Sequence, residues 1–196
     1  MKTELYQRYL EHRTAGRKRD ASETIRDFVA SCTGPRDREV WVQHFLEQSE
    51  HEHRIRHEVY ASLVFPVLLE GYGRRDFWSV YWLARTASNL YADSSLHAQV
   101  EYKAERKLFR EAFEIQPTAD VRRHLLHSYV AEFSYCQHEW PTGILSGMEG
   151  ATIDECAGIL RDVEFARTLD DGANEPFLKE FEARVHNYRE RLSRAA

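Results

Sequence analysis

The chain has 196 residues, of which 42% are hydrophobic and 12% aromatic, so it is long enough to bury a core and too apolar to be intrinsically disordered. Its net charge of −5 argues against a dedicated nucleic-acid binder, because such proteins present a basic surface. With only nine glycines and five prolines, few positions suit tight hairpin turns, which favours an all-α fold with no sheet.

The N-terminal helices are separated by a basic loop. A short helix is predicted over about the first 13 residues, where apolar side chains recur at helical spacing. The loop after it contains Arg13, Arg17, Lys18 and Arg19. Four positive side chains this close together can contact nucleic-acid phosphates or an acidic partner, although a solvated loop has the same pattern more often.

The most apolar stretch, Ile55 to Leu90, predicts two helices packed against each other at the centre of the fold. Pro66 lies inside the first of them and removes a backbone hydrogen bond, so we expect a kink there. Asp76 is suited to be the N-cap of the second. A break near Ser49 separates the pair from the preceding helix, because an unbroken helix from Pro35 to Tyr72 would be unusually long.

The second central helix carries the aromatic residues Trp78, Tyr81 and Trp82. This is more aromatic surface than one helix usually buries. Core packing is the first interpretation of such a cluster, and the alternative is an interface patch, where aromatic side chains are enriched. We therefore treat these three residues as a candidate interaction site.

The following helix is expected to run from Asp93 or the adjacent serines to Ile115. Val100, Ala104 and Leu108 form its apolar stripe at helical spacing. Because Pro117 cannot continue a helix, it marks the end of this element.

Three further helices complete the predicted fold. Thr118 caps the first, and Thr152 with Glu155 forms a capping box at the start of the second. A glycine-rich connection at residues 143–150 lies between these two helices. The third starts near Pro176, because proline is favoured at the first helical position.

These elements amount to about eight helices in antiparallel pairs, arranged as a helical repeat or as an orthogonal bundle. We expect one all-helical domain over 1–196, with N-terminal helices at 1–50, central core helices at 51–140 and a C-terminal helix pair at 151–194. The C-terminal pair is acidic, so its outer face suits a basic partner.

A resemblance to the tetratricopeptide repeat covers about residues 105–135. In that repeat an aromatic residue, an alanine three positions later and a proline five positions further close the second helix, as Phe109, Ala112 and Pro117 do here. Leu126 then falls where the next repeat has its leucine. The resemblance implies stacked antiparallel helix pairs and a protein that binds proteins or peptides without catalysing a reaction.

Two sets of side chains have metal-ligand spacing. Glu50, His53 and His57 lie three and four residues apart. His97, Glu101 and Glu105 follow one another at intervals of four residues. On a helix, each set would share one face. Carboxylates and imidazoles that face each other across a helical bundle can bind a divalent metal such as zinc, iron or manganese. The alternative interpretation is a solvated charged face.

The catalytic motifs that the sequence lacks favour a binding protein over an enzyme. The chain has no phosphate-binding glycine loop and no nucleophile motif, and its three cysteines have no metal-ligand spacing. We therefore expect a cytoplasmic, non-catalytic protein–protein interaction module of the adaptor, regulator or toxin-neutralising type, with no cofactor. Its partner would be a protein, a peptide or a second copy of the chain, with no membrane contact. The alternative is a metal-binding bundle, with or without enzymatic activity.

Overall fold

The structure, a computed structural model, describes residues 2–48, 55–139 and 142–195. The predicted all-α class is confirmed, because helices make up most of the described chain. By their contacts the residues form two compact units, Met1–Gln116 and Pro117–Ala196, called the first and second unit below. One domain divided at 1–50, 51–140 and 151–194 stays a prediction.

The first unit consists of helices joined by short turns. Its elements are α1 (Thr3–Thr14), α2 (Lys18–Ser31), α3 (Pro35–Gln48), α4 (His57–Val59), a π-helical turn (Tyr60–Val64), α5 (Phe65–Gly73), α6 (Phe77–Arg85), α7 (Ala87–Tyr91), α8 (Ser94–Ala98) and α9 (Glu105–Ile115). Helix α1 packs on α2, and α6 packs on both α5 and α9. The described helices are therefore arranged as packed pairs around an apolar core.

The π-helical turn lies immediately before Pro66. Here the Phe65 N–H bonds to the Tyr60 carbonyl, five residues back, instead of four. Pro66 has no N–H and its ring crowds the preceding turn, so a wider turn accommodates it without ending the helix. The sequence predicted only a kink. The neighbouring Ile55 and Arg56 are not helical, and the expected break near Ser49 lies outside the described residues.

The turn between α5 and α6 has the predicted cap. A carboxylate oxygen of Asp76 accepts hydrogen bonds from the Ser79 N–H at 2.9 Å and the Ser79 hydroxyl at 2.8 Å. A Cβ at Gly71 would collide with the Ser79 side chain, so only glycine fits there. This close approach fixes the angle at which α6 leaves the turn and packs on α5.

The second unit contains three long helices and a short hairpin. Its elements are α10 (Ala119–His138), β1 (Leu145–Ser146), β2 (Glu149–Gly150), α11 (Ile153–Leu169) and α12 (Glu175–Ala195). The predicted caps of α10 and α11 are both present. The prediction that the chain lacks any sheet is wrong here, since β1 and β2 pair antiparallel around Gly147, whose φ is +60°. Two-residue strands are too short to show an alternating pattern in the sequence.

None of the described helices combines the length and the apolar character that crossing a membrane requires. Cys32 and Cys156 are buried free thiols. Burial raises the pKa of Cys32 and of Cys156, which keeps both in the thiol form.

Candidate interaction site

The connection between α8 and α9 has an unusual backbone. Glu101 and Tyr102 have φ angles of +58° and +55°, a left-handed conformation that costs about 1–2 kcal/mol for each residue other than glycine. The Tyr102 N–H bonds to the His97 carbonyl at 3.0 Å, and the Lys103 N–H to the Val100 carbonyl at 3.1 Å. Val100 is fully buried and anchors the loop. Strain of this kind often accompanies a functional surface.

A partly buried ion cluster holds the end of this loop. The ammonium of Lys103 lies 2.8 Å from Glu111 and 3.2 Å from Glu101, and it donates to the Tyr72 hydroxyl. Its side chain is only 13% exposed. Burial acts to lower the pKa of Lys103, but the hydrogen bonds to Glu111, Tyr72 and Glu101 outweigh it and raise that pKa above its ordinary value. Lys103 is therefore charged and fixed in place.

Three aromatic side chains from the same loop and from the helices before it contact one another at the surface. The His97 ring makes edge-to-face contacts with Tyr91 and Tyr102, each with ring centroids 5.3 Å apart. The tyrosines remain 52% and 64% exposed, respectively. We call Tyr91, His97 and Tyr102 the tyrosine–histidine patch. Exposed aromatic side chains that contact one another rather than scatter singly are typical of binding surfaces.

Hydrogen bonds fix two members of the patch. His97 Nε2 lies 3.0 Å from the Lys103 carbonyl, so Nε2 carries the proton and donates it. The Tyr91 hydroxyl accepts from the Glu105 N–H at 2.7 Å, closing the start of α9. Burial raises the pKa of Tyr91 despite this hydrogen bond, so the phenol stays neutral. The patch is therefore held in one arrangement before any partner binds.

The surroundings of the patch are acidic. The Glu101 side chain is 77% exposed, and Glu105 is also exposed at the first position of α9. The faces of tyrosine rings carry partial negative charge and attract cations. Carboxylates beside exposed ring faces make a surface suited to a positively charged group.

The first predicted metal set is described only in part. Glu50 and His53 lie outside the described residues. His57, the first residue of α4, places its Nε2 3.7 Å from an Asp93 carboxylate oxygen. Asp93 also accepts hydrogen bonds from two backbone N–H groups as the N-cap of α8. The structure thus brings His57 to the start of α8, the helix that contains His97 of the second predicted set.

The interpretation of His97, Glu101 and Glu105 as one face of one helix is wrong. His97 lies in α8, Glu101 in the left-handed loop and Glu105 at the start of α9. The helical pattern predicted that Val100 is buried, which is correct, but it did not predict that the backbone leaves the helix here. In the described part of the chain, no three His, Cys, Asp or Glu side chains are grouped as metal ligands would be. A metal site that includes Glu50 and His53 stays a prediction.

The candidate interaction residues on α6 all have neighbours within the first unit. Trp82 is buried, with 9% of its surface exposed. The Trp78 indole N–H donates to a carboxylate oxygen of Glu47 at 3.1 Å. The Tyr81 hydroxyl accepts from Arg85 at 3.0 Å. We call Trp78, Tyr81 and Trp82 the α6 cluster; that it binds a partner stays a prediction.

The basic loop is shorter than predicted. Helix α2 already begins at Lys18, so Lys18 and Arg19 are helical. Arg13 donates to the hydroxyl of a buried tyrosine in α1, and Arg19 pairs with a glutamate one turn later in α2. Arg17 lies between the helices. Nucleic-acid contact through these four residues stays a prediction.

Sequence reasoning missed Tyr102 because it gave that residue to a helix, and it left Tyr91 without a role in the connection before Asp93. A weak signal was present, since Tyr102 lies off the stripe of Val100, Ala104 and Leu108 and had no assigned neighbour. No protein-family model, no curated protein and no solved structure matches this chain. The tetratricopeptide resemblance therefore depends on its own residues, and what the structure supports is the coarser statement that the helices form packed pairs.

Proposed function

We propose that the chain is a protein- or peptide-binding module and that the tyrosine–histidine patch receives a lysine or arginine side chain of the partner. The observation that carries this proposal is the left-handed Glu101–Tyr102 turn, which holds the Tyr102 ring against His97 at the surface. The turn leaves 64% of Tyr102 exposed, and backbone strain of this kind is often retained where a surface has a function. Binding is the use that such an arrangement serves.

The chemistry of the patch selects the partner. Two exposed tyrosine rings offer electron-rich faces, and Glu105 adds negative charge beside Tyr91, while the carboxylate of Glu101 is paired with Lys103. A cation over a tyrosine contributes about 0.5–1 kcal/mol at an exposed site and about 2 kcal/mol when it is desolvated. Tyrosine is also enriched among interface residues that dominate binding energy.

The helical architecture agrees with this role. Packed helix pairs, including the α9 segment of the tetratricopeptide-like stretch at about residues 105–135, are typical of proteins that bind other proteins. Adaptor, regulator and toxin-neutralising partner are all functions within this class. The acidic face of 151–194 is a second surface that a basic partner would favour.

Peptide selection tests the proposal. Displayed random peptides are selected on the wild-type protein and counter-selected on a Tyr91→Ala, Tyr102→Ala double variant. We expect the surviving peptides to share a lysine or arginine, and its replacement by glutamine to weaken binding about 3- to 30-fold. Titration of each peptide, followed by NMR of the His97 and Tyr102 resonances, measures the affinity and the place of contact.

The matched control is Tyr135→Ala in α10, since Tyr135 is 57% exposed and lies far from the patch in sequence. The control should bind each selected peptide as the wild type does. If counter-selection removes every peptide that binds the wild type, or if the surviving peptides need no basic residue, the patch is not the binding surface.

A metal-binding bundle remains the second proposal. The observation that favours it is the 3.7 Å approach of His57 to Asp93, which places an imidazole beside a carboxylate. Elemental analysis of the purified protein is the test: stoichiometric zinc, iron or manganese that is lost in His53→Ala and His57→Ala supports the site. Metal-free protein whose stability is unchanged by chelator contradicts it.

A further inference from the structure

A cleft of about 480 Å³ lies in the first unit, between the first turns of α3 and the exposed side of α5. Three arginines line it, Arg36 and Arg38 from α3 and Arg74 from the C-cap position of α5. Neither the sequence motifs nor the tyrosine–histidine patch accounts for this cleft. Its volume is within the range of small-molecule sites.

Two of the arginines have unused hydrogen-bond donors. Within the described residues, Arg36 is exposed and takes part in no hydrogen bond or ion pair. Arg38 donates from Nη2 to the Cys32 carbonyl at 3.2 Å, which holds the side chain in place. Its Nε is buried and has no hydrogen-bond partner among the described residues. A buried donor without a protein partner is uncommon, and an ordered water or a bound group can satisfy it.

The third arginine is already paired. Arg74 forms an ion pair with Glu70 at 2.6 Å on the α5 side of the cleft. Glu39 also lines the cleft, so three guanidinium groups face two carboxylates and leave one positive charge uncompensated. The start of α3 adds the positive end of the helix dipole, which Asp37 in the first turn partly offsets.

The rest of the cleft is apolar. Pro35, Pro66 and Val67 line it beside the arginines. Val67 and Pro66 are half-buried, so they offer apolar surface without closing the cleft. The cleft therefore combines a cationic end with an apolar wall.

We propose that this cleft binds a small organic anion, whose carboxylate or phosphate group is held by Arg36 and Arg38 and whose apolar body lies against Pro66 and Val67. The planar fork of arginine matches both oxyanions, because it donates two parallel hydrogen bonds. The proposal is independent of the peptide-binding role of the patch.

Benzoate and phenyl phosphate are the probes, with inorganic phosphate as the probe that lacks an apolar body. Each is titrated at constant ionic strength while NMR follows the arginine Nε–H resonances of the full chain. We expect benzoate or phenyl phosphate to shift the Arg36 and Arg38 signals in a saturable way. The tighter of the two identifies the headgroup, and inorganic phosphate should bind more weakly than phenyl phosphate.

The variant Arg36→Gln removes one headgroup contact without touching the fold, because this side chain is exposed and has no partner to lose among the described residues. It should weaken the affinity roughly tenfold. Arg17→Gln removes the same charge from the α1–α2 connection and should leave the affinity unchanged.

Three results would overturn the proposal. They are the absence of saturable shifts with either organic probe, equal affinity in Arg36→Gln and the wild type, and equal weakening in Arg17→Gln and Arg36→Gln. Equal affinity for phenyl phosphate and inorganic phosphate would overturn the part assigned to Pro66 and Val67.

Discussion

The first unit contains two groups of aromatic side chains that differ in what they contact. In the α6 cluster each side chain has an internal neighbour, and Trp82 is 9% exposed. In the tyrosine–histidine patch the rings contact mainly one another, and both tyrosines are more than half exposed. Burial explains Trp82 without any function, and Trp78 and Tyr81 are half-buried, whereas the second group is exposed at a cost in backbone strain.

The difference shows that aromatic density in a sequence marks the core more readily than it marks a binding surface. The α6 cluster stands out because its residues are close together on one helix. The members of the patch are spread over the 12 positions from Tyr91 to Tyr102, both included. The loop before α9 brings them together. What distinguishes a binding surface here is exposure combined with strain.

The largest expected effect is on stability in the α6 cluster. Trp82→Ala removes a buried ring that contacts Trp78 and Tyr81 and lies under the Arg85 guanidinium. We expect a loss of about 3–5 kcal/mol in the free energy of unfolding, as for other large-to-small core changes. Urea-induced unfolding measures it.

Tyr102→Phe is the matched change in the patch and should alter stability by less than about 0.5 kcal/mol, because the side chain is mostly exposed. A loss below about 1 kcal/mol in Trp82→Ala would mean that the α6 cluster is not part of the core. The α6 cluster would then again be the leading interaction site.

This contrast also explains how much the sequence could predict. Caps depend on local side-chain to backbone contacts, so Asp76, Thr118 and the Thr152–Glu155 box were all predicted correctly. The end of α8 after Ala98 was not predicted, because it depends on how Val100 packs in the core and on the ion pairs of Lys103. Tertiary contacts of this kind leave no local pattern.

The same limit applies to the candidate sites. The spacing of His97, Glu101 and Glu105 was read as helical, and one left-handed turn separates them. The arginine cleft joins the start of α3 to one side of α5, and these segments are about 30 residues apart in the chain, so no motif could predict it. Local side-chain contacts predicted the helix caps, whereas long-range packing determined which side chains meet.

An intermediate effect on the free energy of unfolding is expected in the ion cluster around Lys103. Glu111→Gln takes one of two carboxylates from Lys103, whose side chain is 13% exposed. We expect a loss of about 1–3 kcal/mol, because the ammonium is left partly unpaired in a mostly buried place. Urea unfolding at neutral pH measures it.

The sign of the pH dependence follows from the raised pKa of Lys103. A raised pKa in the folded state gives stability that is fully present below the unfolded-state value of about 10.4 and is lost as pH rises above it. The control is Glu114→Gln on α9, whose pair with Arg110 is exposed and should contribute less than about 0.5 kcal/mol. Equal losses in the two variants would mean that Lys103 does not anchor the loop.

The smallest expected effect on the free energy of unfolding comes from the backbone strain at Tyr102. At position 102 the φ angle is +55°, a region that glycine enters freely and alanine does not. Tyr102→Gly should therefore be more stable than Tyr102→Ala by about 0.5–1 kcal/mol, after the greater freedom of glycine in the unfolded chain is allowed for. Urea unfolding of the two variants gives the difference, which does not depend on the lost ring because both lack it.

The same pair of changes at Tyr135 supplies the control, because that position is similarly exposed but lies within α10. There alanine should be more stable than glycine by about 1 kcal/mol, the usual helical preference. A reversed order at position 102 and the usual order at position 135 would show that Tyr102 is held in a conformation which the fold itself disfavours. If alanine is favoured at both, the turn is unstrained, and the proposal that the patch is retained for binding loses its main support.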